Sequence, residues 1–114
     1  MVKSRDLNHV NVTVTDIEKA KAFYEKVLGL KQLPRPNPNA PGAWFAVGEA
    51  AIHLGRADNA VGPHLAIEVE DYEATKAELN RLGVKFVEQQ GMVAGRQLWI
   101  LDPDGNKIEL RADK

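Results

Sequence analysis

The sequence predicts an α+β fold made of two copies of one module, in which a strand and a helix precede three further strands. Three observations predict it: a repeat of about 55 residues, an amphipathic helix pattern in each copy, and a turn signal near the end of each copy. A chain of 114 residues has the size of one domain. We therefore expect a single domain, 1–114, with repeats at about 5–54 and 62–111.

The repeat is clearest where each copy begins. Residues 7–16 read LNHVNVTVTD and residues 62–71 read GPHLAIEVED, which aligns His9 with His64. Apolar and polar residues alternate in both segments, as they do in a strand that has one face on the core. Each copy is therefore predicted to open with a strand.

A helix is predicted directly after each of these strands. Each helix follows an aspartate that suits the N-cap position, Asp16 or Asp71. Each is expected to stop at a glycine, Gly29 or Gly83, because glycine is common just past a helix C-terminus. Mostly apolar residues recur at the spacing i, i+3, i+7 and i+10, which places them on one helix face. These residues are Ile17, Ala20, Tyr24 and Val27 in the first copy and Tyr72, Thr75, Leu79 and Leu82 in the second.

Three strands are predicted to complete each copy. The segments GLKQL (29–33) and GVKFV (83–87) indicate a short strand after each helix. A hairpin follows at 43–54 in the first copy and at 96–110 in the second. The predicted turn pairs are Gly48-Glu49 and Asp104-Gly105.

Two connections separate these elements. The first copy carries an insertion, PRPNPNAPG (34–42), whose prolines cannot continue a helix or a central strand. We expect a surface loop there, placed as a lid over a cleft. Residues 55–62 are predicted to connect the two copies.

The repeat gives four polar side chains equivalent positions. The segment AIHL aligns with KIEL, so His53 corresponds to Glu109, and His9 with His64 forms the other matched pair. Their neighbours along each strand are mostly apolar, so alternation places all four on the face opposite the helix-packed core. If a pseudo-twofold axis relates the two copies, the four side chains converge on one point.

Imidazoles and a carboxylate are the donors that a borderline divalent metal prefers, such as Zn, Ni, Co, Mn or Fe(II). One such ion is therefore the expected cofactor. Lys107 and Arg111 share the strand face of Glu109, where they either lower the pKa of its carboxyl group or point to solvent.

Composition excludes several classes of partner. With 15 basic and 16 acidic side chains the net charge is −1, and there is no basic block to bind nucleic acid or an anionic membrane. The chain has no cysteine, which excludes disulfides, thiolate metal sites and cysteine nucleophiles. No apolar run approaches the ~18 residues of a membrane span. We expect a cytoplasmic protein that acts on a small molecule.

The segments LNHVNVTVTDIEKAKAFYEKVLGL, PHLAIEV and DPDGNKIEL resemble the vicinal oxygen chelate superfamily, which includes glyoxalases, bleomycin-resistance proteins and extradiol dioxygenases. The resemblance covers roughly residues 7–111. It implies two βαβββ modules that form an open barrel-like cup around one divalent metal, and a homodimer. It places metal ligands at His9, His64 and Glu109, with His53 at a fourth position that some members use.

The resemblance implies lyase or isomerase chemistry on a small bidentate oxygen substrate. The alternatives are an extradiol-type ring-cleaving dioxygenase and a metal-free protein that binds a small molecule, such as an antibiotic, in resistance. His53 is either a fourth ligand or a general acid/base, and Glu109 is the other residue expected to move a proton. Glyoxalase I usually has a glutamate where this chain has His53, so the role of His53 decides the chemistry.

Five further residues are predicted to contact the substrate. Asn11 lies on the metal-side strand face by alternation, and Trp99 and Trp44 are predicted apolar walls. Arg35, on the proline-rich loop, and Arg96 would bind an anionic group such as a carboxylate or phosphate.

Overall fold

A computed structural model of the chain describes residues 1–56, 62–89 and 96–112. Within these ranges the predicted α+β fold is confirmed, with a strand, a helix and three strands in each repeat. Residues 57–61 of the predicted connection lie outside the described residues. The elements are β1 (Ser4–Val14), α1 (Ile17–Lys26), β2 (Lys31–Leu33), β3 (Ala43–Val47), β4 (Ala50–Arg56), β5 (His64–Val69), α2 (Tyr72–Leu82), β6 (Val87–Gln89), β7 (Arg96–Leu101) and β8 (Lys107–Ala112).

The chain divides into two compact units, and the boundary falls inside β1. The first unit is His9–Pro63, and the second unit is Met1–Asn8 together with His64–Lys114. None of the helices in the described ranges is long and apolar enough to cross a membrane.

The N-terminal residues belong to the second unit because their contacts are with that unit. The backbone N–H of Glu70 donates to the carbonyl of Lys3 at 3.1 Å. The N-terminal ammonium of Met1 lies 2.7 Å from the Glu78 carboxylate, and Val2 packs against the core of the second unit. The second unit is thus larger than the second sequence repeat alone.

In the first unit, β2, β3, β4 and β1 are neighbours in that order. The pairs β2–β3 and β3–β4 are antiparallel, and β4 is parallel to β1. The core consists of Ala43, Phe45 and Leu54, on which Tyr24 of α1 packs. The rings of Tyr24 and Phe45 lie 5.8 Å apart at an interplanar angle of 23°. One strand face is thereby committed to the helix, and the other is left for the polar side chains.

In the second unit, β5, β8, β7 and β6 are neighbours in that order. The β5–β8 pair is parallel, and β8–β7 and β7–β6 are antiparallel. The helix α2 covers one face of these strands. The buried core residues there are Val69, Tyr72, Leu79, Leu98, Leu110 and Ala112.

Both predicted N-caps are confirmed. The Asp16 carboxylate accepts a hydrogen bond from the N–H of Lys19 at 3.0 Å. The Asp71 carboxylate accepts one from the N–H of Ala74 at 2.9 Å. Each bond satisfies one N–H that has no partner within the helix itself.

The helix C-termini differ from each other. Gly83 caps α2 as predicted, in the left-handed conformation at φ +73°. The predicted stop of α1 at Gly29 is wrong, because α1 ends at Lys26 and Val27 is its cap. Val27 and Leu82 lie at these ends and are 64% and 51% exposed, so each predicted apolar face is one residue too long.

The predicted strand at 83–87 is largely wrong, since β6 begins at Val87. Gly83 caps the preceding helix, and the N–H of Val84 donates to the carbonyl of Leu79 at 2.9 Å. The backbone therefore completes the helix end before a strand can start.

Both predicted turns are confirmed by glycines with positive φ, Gly48 at +58° and Gly105 at +85°. The insertion at 34–42 contains no helix or strand, as predicted.

Candidate metal centre

Strand alternation in the second unit separates the core face from a polar face. On β8, Ile108 and Leu110 pack in the core under α2, and Glu109 between them belongs to the other face. Glu109 lies opposite Ala66 on β5 and opposite Trp99 on β7. The apolar pair that brackets Glu109 in the sequence thus fixes the face on which its carboxylate lies.

A buried imidazole lies beside this carboxylate. The Nε2 atom of His64 is 3.6 Å from Oε1 of Glu109. His64 is 9% exposed and Glu109 is 4% exposed. The Nη1 atom of Arg111 lies 3.6 Å from the other carboxylate oxygen of Glu109. The polar face of the second unit therefore holds an imidazole and a carboxylate together, away from water.

Burial raises the pKa of the Glu109 carboxyl group above its ordinary value, because desolvation penalises the charged form. The charge of Arg111 lowers this pKa, and the Glu68 carboxylate raises it. The predicted lowering of the Glu109 pKa by Arg111 is therefore confirmed, but burial outweighs it and the net pKa is raised. A second positive charge beside the Glu109 carboxylate would reduce the free-energy cost of burying its charged form.

Trp99 borders both the His64–Glu109 pair and an open groove. Its indole meets the His64 ring edge-on, with centroids 4.8 Å apart at 86°, and Lys107 Nζ lies 4.6 Å from the Trp99 ring centroid. The indole N–H donates to the side-chain oxygen of Gln89. The groove is apolar with lysines at its margin. It is lined by Lys85, Phe86, Val87, Trp99, Leu101 and Lys107, among others.

Arg96, predicted to bind an anion, lies on the helix side of β7. Its Nη1 is 3.0 Å from a carboxylate oxygen of Glu73 on α2, and its guanidinium lies over the Tyr72 ring at 5.8 Å. By alternation it occupies the strand face opposite Trp99 and Glu109. The structure therefore does not bring Arg96 together with these two residues.

In the first unit, His9 is 3% exposed and lies on β1 opposite Ala51 of β4. Asn11, two residues further along β1, lies opposite His53. Because Val12 and Val14 pack against the core, alternation places His9 and Asn11 on the other face. The predicted metal-side face of the first repeat therefore holds His9, Asn11 and His53 together.

Three rings of the first unit form a continuous stack. The imidazoles of His9 and His53 have centroids 3.8 Å apart and planes inclined by 13°. Trp44, which lies opposite His53 in the β3–β4 hairpin, covers the His53 ring at 4.1 Å and 7°. The structure thus unites three predicted site residues as a stack of near-parallel planes.

Arg35, the other predicted anion ligand, binds its own loop. Its Nη2 donates to the carbonyls of Pro38 at 3.1 Å and Ala40 at 2.6 Å. The loop then returns to the sheet at Gly42, whose φ of +143° and close approach to the Leu54 carbonyl favour glycine. The guanidinium therefore stabilises the loop backbone where the chain turns back to β3.

A sequence profile of the Glyoxalase/Bleomycin resistance protein/Dioxygenase superfamily matches residues 6–110. The chain belongs to this superfamily. The glyoxalase superfamily fold predicted from the sequence is thereby confirmed, and solved structures agree. The chain shares the fold of methylmalonyl-CoA epimerase from Mycobacterium tuberculosis, with a TM-score of 0.74 and 24% identity, covering 99% of this chain and 91% of that one.

Two curated relatives are more similar to this chain in sequence than the epimerase is. It is 33% identical to glutathione transferase FosA of Serratia marcescens, covering 93% of this chain and 79% of the relative. It is 31% identical to Glyoxylase I 4 of Arabidopsis thaliana, covering 91% and 68%. The two relatives are named for different reactions. Their similarity to this chain therefore supports the superfamily but does not identify one reaction.

Sequence reasoning missed the ring stack and the burial of Glu68, which is 5% exposed on the polar face of the second unit. A signal for the stack was present, because Trp44 and Trp99 are separated by the repeat distance. That spacing places each tryptophan opposite the matched strand residue, His53 or Glu109. For Glu68, alternation along the strand from His64 indicates the polar face, but nothing in the sequence indicates its burial.

Proposed function

We propose that the protein is a divalent-metal-dependent enzyme in which His9, His64 and Glu109 hold the ion. The observation that carries the proposal is the buried His64–Glu109 pair, whose donor atoms approach to 3.6 Å on neighbouring strands. His9, the repeat-equivalent of His64, is also buried. The three residues supply two imidazoles and one carboxylate, which suit Zn, Ni, Co, Mn or Fe(II).

The His64–Glu109 pair fits a metal ion on two grounds. Donor atoms at about 2.1 Å from a tetrahedral ion lie about 3.4 Å from each other, close to the distance between this nitrogen and oxygen. Burial also disfavours the charged form of Glu109, and a cation would offset that penalty. Membership of the glyoxalase superfamily supports the same proposal.

The proposed chemistry is of the lyase or isomerase kind, on a small substrate that offers two oxygens. When bound, the ion would supply Lewis-acid stabilisation of charge developing on a substrate oxygen. Glu109 is the proposed proton-transfer group, because it is the one carboxylate of the proposed ligand set. The similarity to Glyoxylase I 4 supports this class of reaction.

The groove beside Trp99 is the proposed binding site for the apolar part of the substrate. Val87, which is 69% exposed, and Leu101 present apolar surface there, and Lys107 lies over the Trp99 ring. We propose Lys107 rather than Arg96 for an anionic substrate group, because Arg96 faces α2. Asn11 and Trp44 remain proposed substrate contacts, and Arg35 would act by holding the insertion loop in place.

Ring-cleaving dioxygenation is the second proposal, because two histidines and one carboxylate also form the ligand set of non-haem iron oxygenases. A metal-free binding protein is the alternative outside enzyme chemistry. These proposals differ in the metal they require, so metal content separates them.

The test is metal analysis of the purified protein before and after reconstitution. We expect one divalent ion per chain, and we expect Glu109→Gln to weaken its affinity by at least about 100-fold, since loss of outer-shell partners alone costs about 10- to 100-fold. The matched control is Glu70→Gln, an exposed glutamate of the same unit, which should bind metal as the wild type does.

The outcome of this measurement selects the next assay. Retained Zn or Ni leads to assays with glutathione hemithioacetals, and retained iron leads to oxygen uptake with catechols. Wild-type protein that takes up no stoichiometric metal on reconstitution would exclude both enzyme proposals and favour the metal-free binding protein.

We also propose a homodimer and a cytoplasmic location, from the resemblance and the composition respectively. Light scattering behind size-exclusion chromatography tests the first, and a mass of one chain at micromolar concentration would contradict it. Cell fractionation tests the second.

A further inference from the structure

The ring stack of the first unit bears on the role of His53. His53 is enclosed between two aromatic neighbours, with Trp44 at 4.1 Å on one side and His9 at 3.8 Å on the other. The three planes are inclined by only 7° and 13°. Strand register produces this arrangement, because Trp44 lies directly opposite His53 and His9 is its diagonal neighbour across β4 and β1.

Stacking restricts which ions the two imidazoles can share. An imidazole nitrogen binds a metal in the plane of its ring, at about 2.0–2.1 Å. The planes of His9 and His53 are nearly parallel, and atoms in contact between them are separated by about 3.5 Å. An ion bound by His9 in the plane of its ring would therefore face the flat side of His53, where that ring offers no lone pair.

We infer that His53 lies outside the coordination sphere and acts as a positioning residue that holds the ring of His9. This rests on the proposed function, in which His9 is a ligand. Ligating histidines need a second group to fix the orientation of the ring. Here Trp44 and His53 perform that task by stacking, and Trp44 in turn holds His53.

The test uses Co(II), whose visible absorption reports the number and type of its ligands. His53→Phe keeps a flat ring and removes both nitrogens, whereas His53→Ala removes the ring as well. We expect His53→Phe to bind one Co(II) with the wild-type spectrum and an affinity within about threefold of wild type, a smaller change than loss of an ordering contact produces. His53→Ala should keep the shape of the spectrum but bind about 10-fold more weakly, because His9 loses its support.

Variants of Trp44 test the outer part of the stack. Trp44→Leu should weaken Co(II) affinity by several-fold, and Trp44→Phe, which retains a ring, should restore most of it. If His53→Phe and His53→Ala lose affinity equally and both change the Co(II) spectrum, His53 is a ligand and the inference is overturned. Backbone amide spectra of each variant establish that it is folded.

Failure of the proposed function can be told apart from failure of this inference. If the wild type binds no Co(II), the proposed function fails, and the stack is then judged in the metal-free protein by proton NMR. Ring protons of His9 and His53 should show nuclear Overhauser contacts, and Trp44→Leu should shift the His53 ring protons. The absence of both effects would overturn the inference.

Discussion

The two units place different chemistry on equivalent strand positions. In the first unit, Trp44 lies opposite His53 in a hairpin, and His53 stacks on His9. In the second, Trp99 lies opposite Glu109 in the equivalent hairpin. The backbone registers match, so the difference comes from the side chains themselves.

A change of one residue type alters the whole local arrangement. An imidazole at position 53 offers a flat face, and the neighbouring rings align with it. The carboxylate of Glu109 offers no such face, so Trp99 meets His64 edge-on at 86° and the carboxylate approaches the imidazole nitrogen. The repeat thus supplies positions, while the residue in each position decides whether it stacks or pairs by charge.

The largest expected effect on stability comes from truncating a large buried side chain in the core of each unit. Phe45 in the first unit and Leu98 in the second are fully buried. We expect Phe45→Ala to lower the free energy of unfolding by about 3–5 kcal/mol and Leu98→Ala by about 2–5 kcal/mol, because each leaves a cavity. Urea unfolding followed by far-UV circular dichroism measures both. Val87→Ala, at an exposed position, is the control and should change stability by less than about 0.5 kcal/mol.

These two variants also compare the units directly. Similar losses would mean that the two cores contribute alike to one cooperative transition. A loss below about 1 kcal/mol for either variant would contradict the assignment of that residue to a packed core.

The second comparison concerns the first residue of each helix. Tyr72 opens α2 and donates its hydroxyl to the Glu88 carboxylate at 2.9 Å, whereas its counterpart Ile17 in α1 has no hydroxyl. We expect Tyr72→Phe to lower the free energy of unfolding by about 1 kcal/mol near neutral pH, as for a typical hydrogen bond. Urea unfolding at neutral pH measures this loss, and an unchanged midpoint would contradict it.

The same hydroxyl predicts a pH dependence. Burial, followed by the bond to Glu88, raises the pKa of Tyr72 from 10.0 to about 12 in the folded protein. The stabilisation is therefore complete below pH 10 and is lost as the pH rises towards 12, because the unfolded state gives up its proton first. The stability difference between wild type and Tyr72→Phe should shrink over this range, and a constant difference would contradict the raised pKa.

The smallest expected effect tests a feature that the units share. Asp16 and Asp71 cap their helices with hydrogen bonds of 3.0 and 2.9 Å. Asp16→Ala and Asp71→Ala should each lower the free energy of unfolding by about 0.5–1 kcal/mol. The corresponding asparagine variants should retain most of the wild-type stability, because asparagine also caps helices. Thermal unfolding compares the four variants. A clear loss in only one helix would show that the caps are not equivalent.

Much of the fold could be predicted because its signals are local. The aspartate caps, the turn glycines and the alternation around Glu109 each act within a few residues, and all of them are confirmed. The predicted strand at 83–87 failed because the cap at Gly83 extended the helix end. Val84 and Phe86 pack against the core of the second unit in this segment.

The site was predictable as a set of positions and less so as a set of interactions. The repeat identified His9, His53, His64 and Glu109 as equivalent strand residues. It did not predict that Arg35 would bind the carbonyls of its own loop. It also did not predict that burial would outweigh Arg111 at the Glu109 carboxylate. Both depend on partners that only folding brings within reach.

The sequence by itself determined the two modules, their N-caps and hairpin turns, and the strand face on which His9, His53, His64 and Glu109 lie. These follow from periodicities of two and 3.6 residues, which need no knowledge of distant partners. The tertiary structure decided the stacking of His53 between Trp44 and His9, and the desolvation that raises the pKa of Glu109. Ring orientation and dielectric environment are properties of packing between strands, so no pattern along the chain could have specified them.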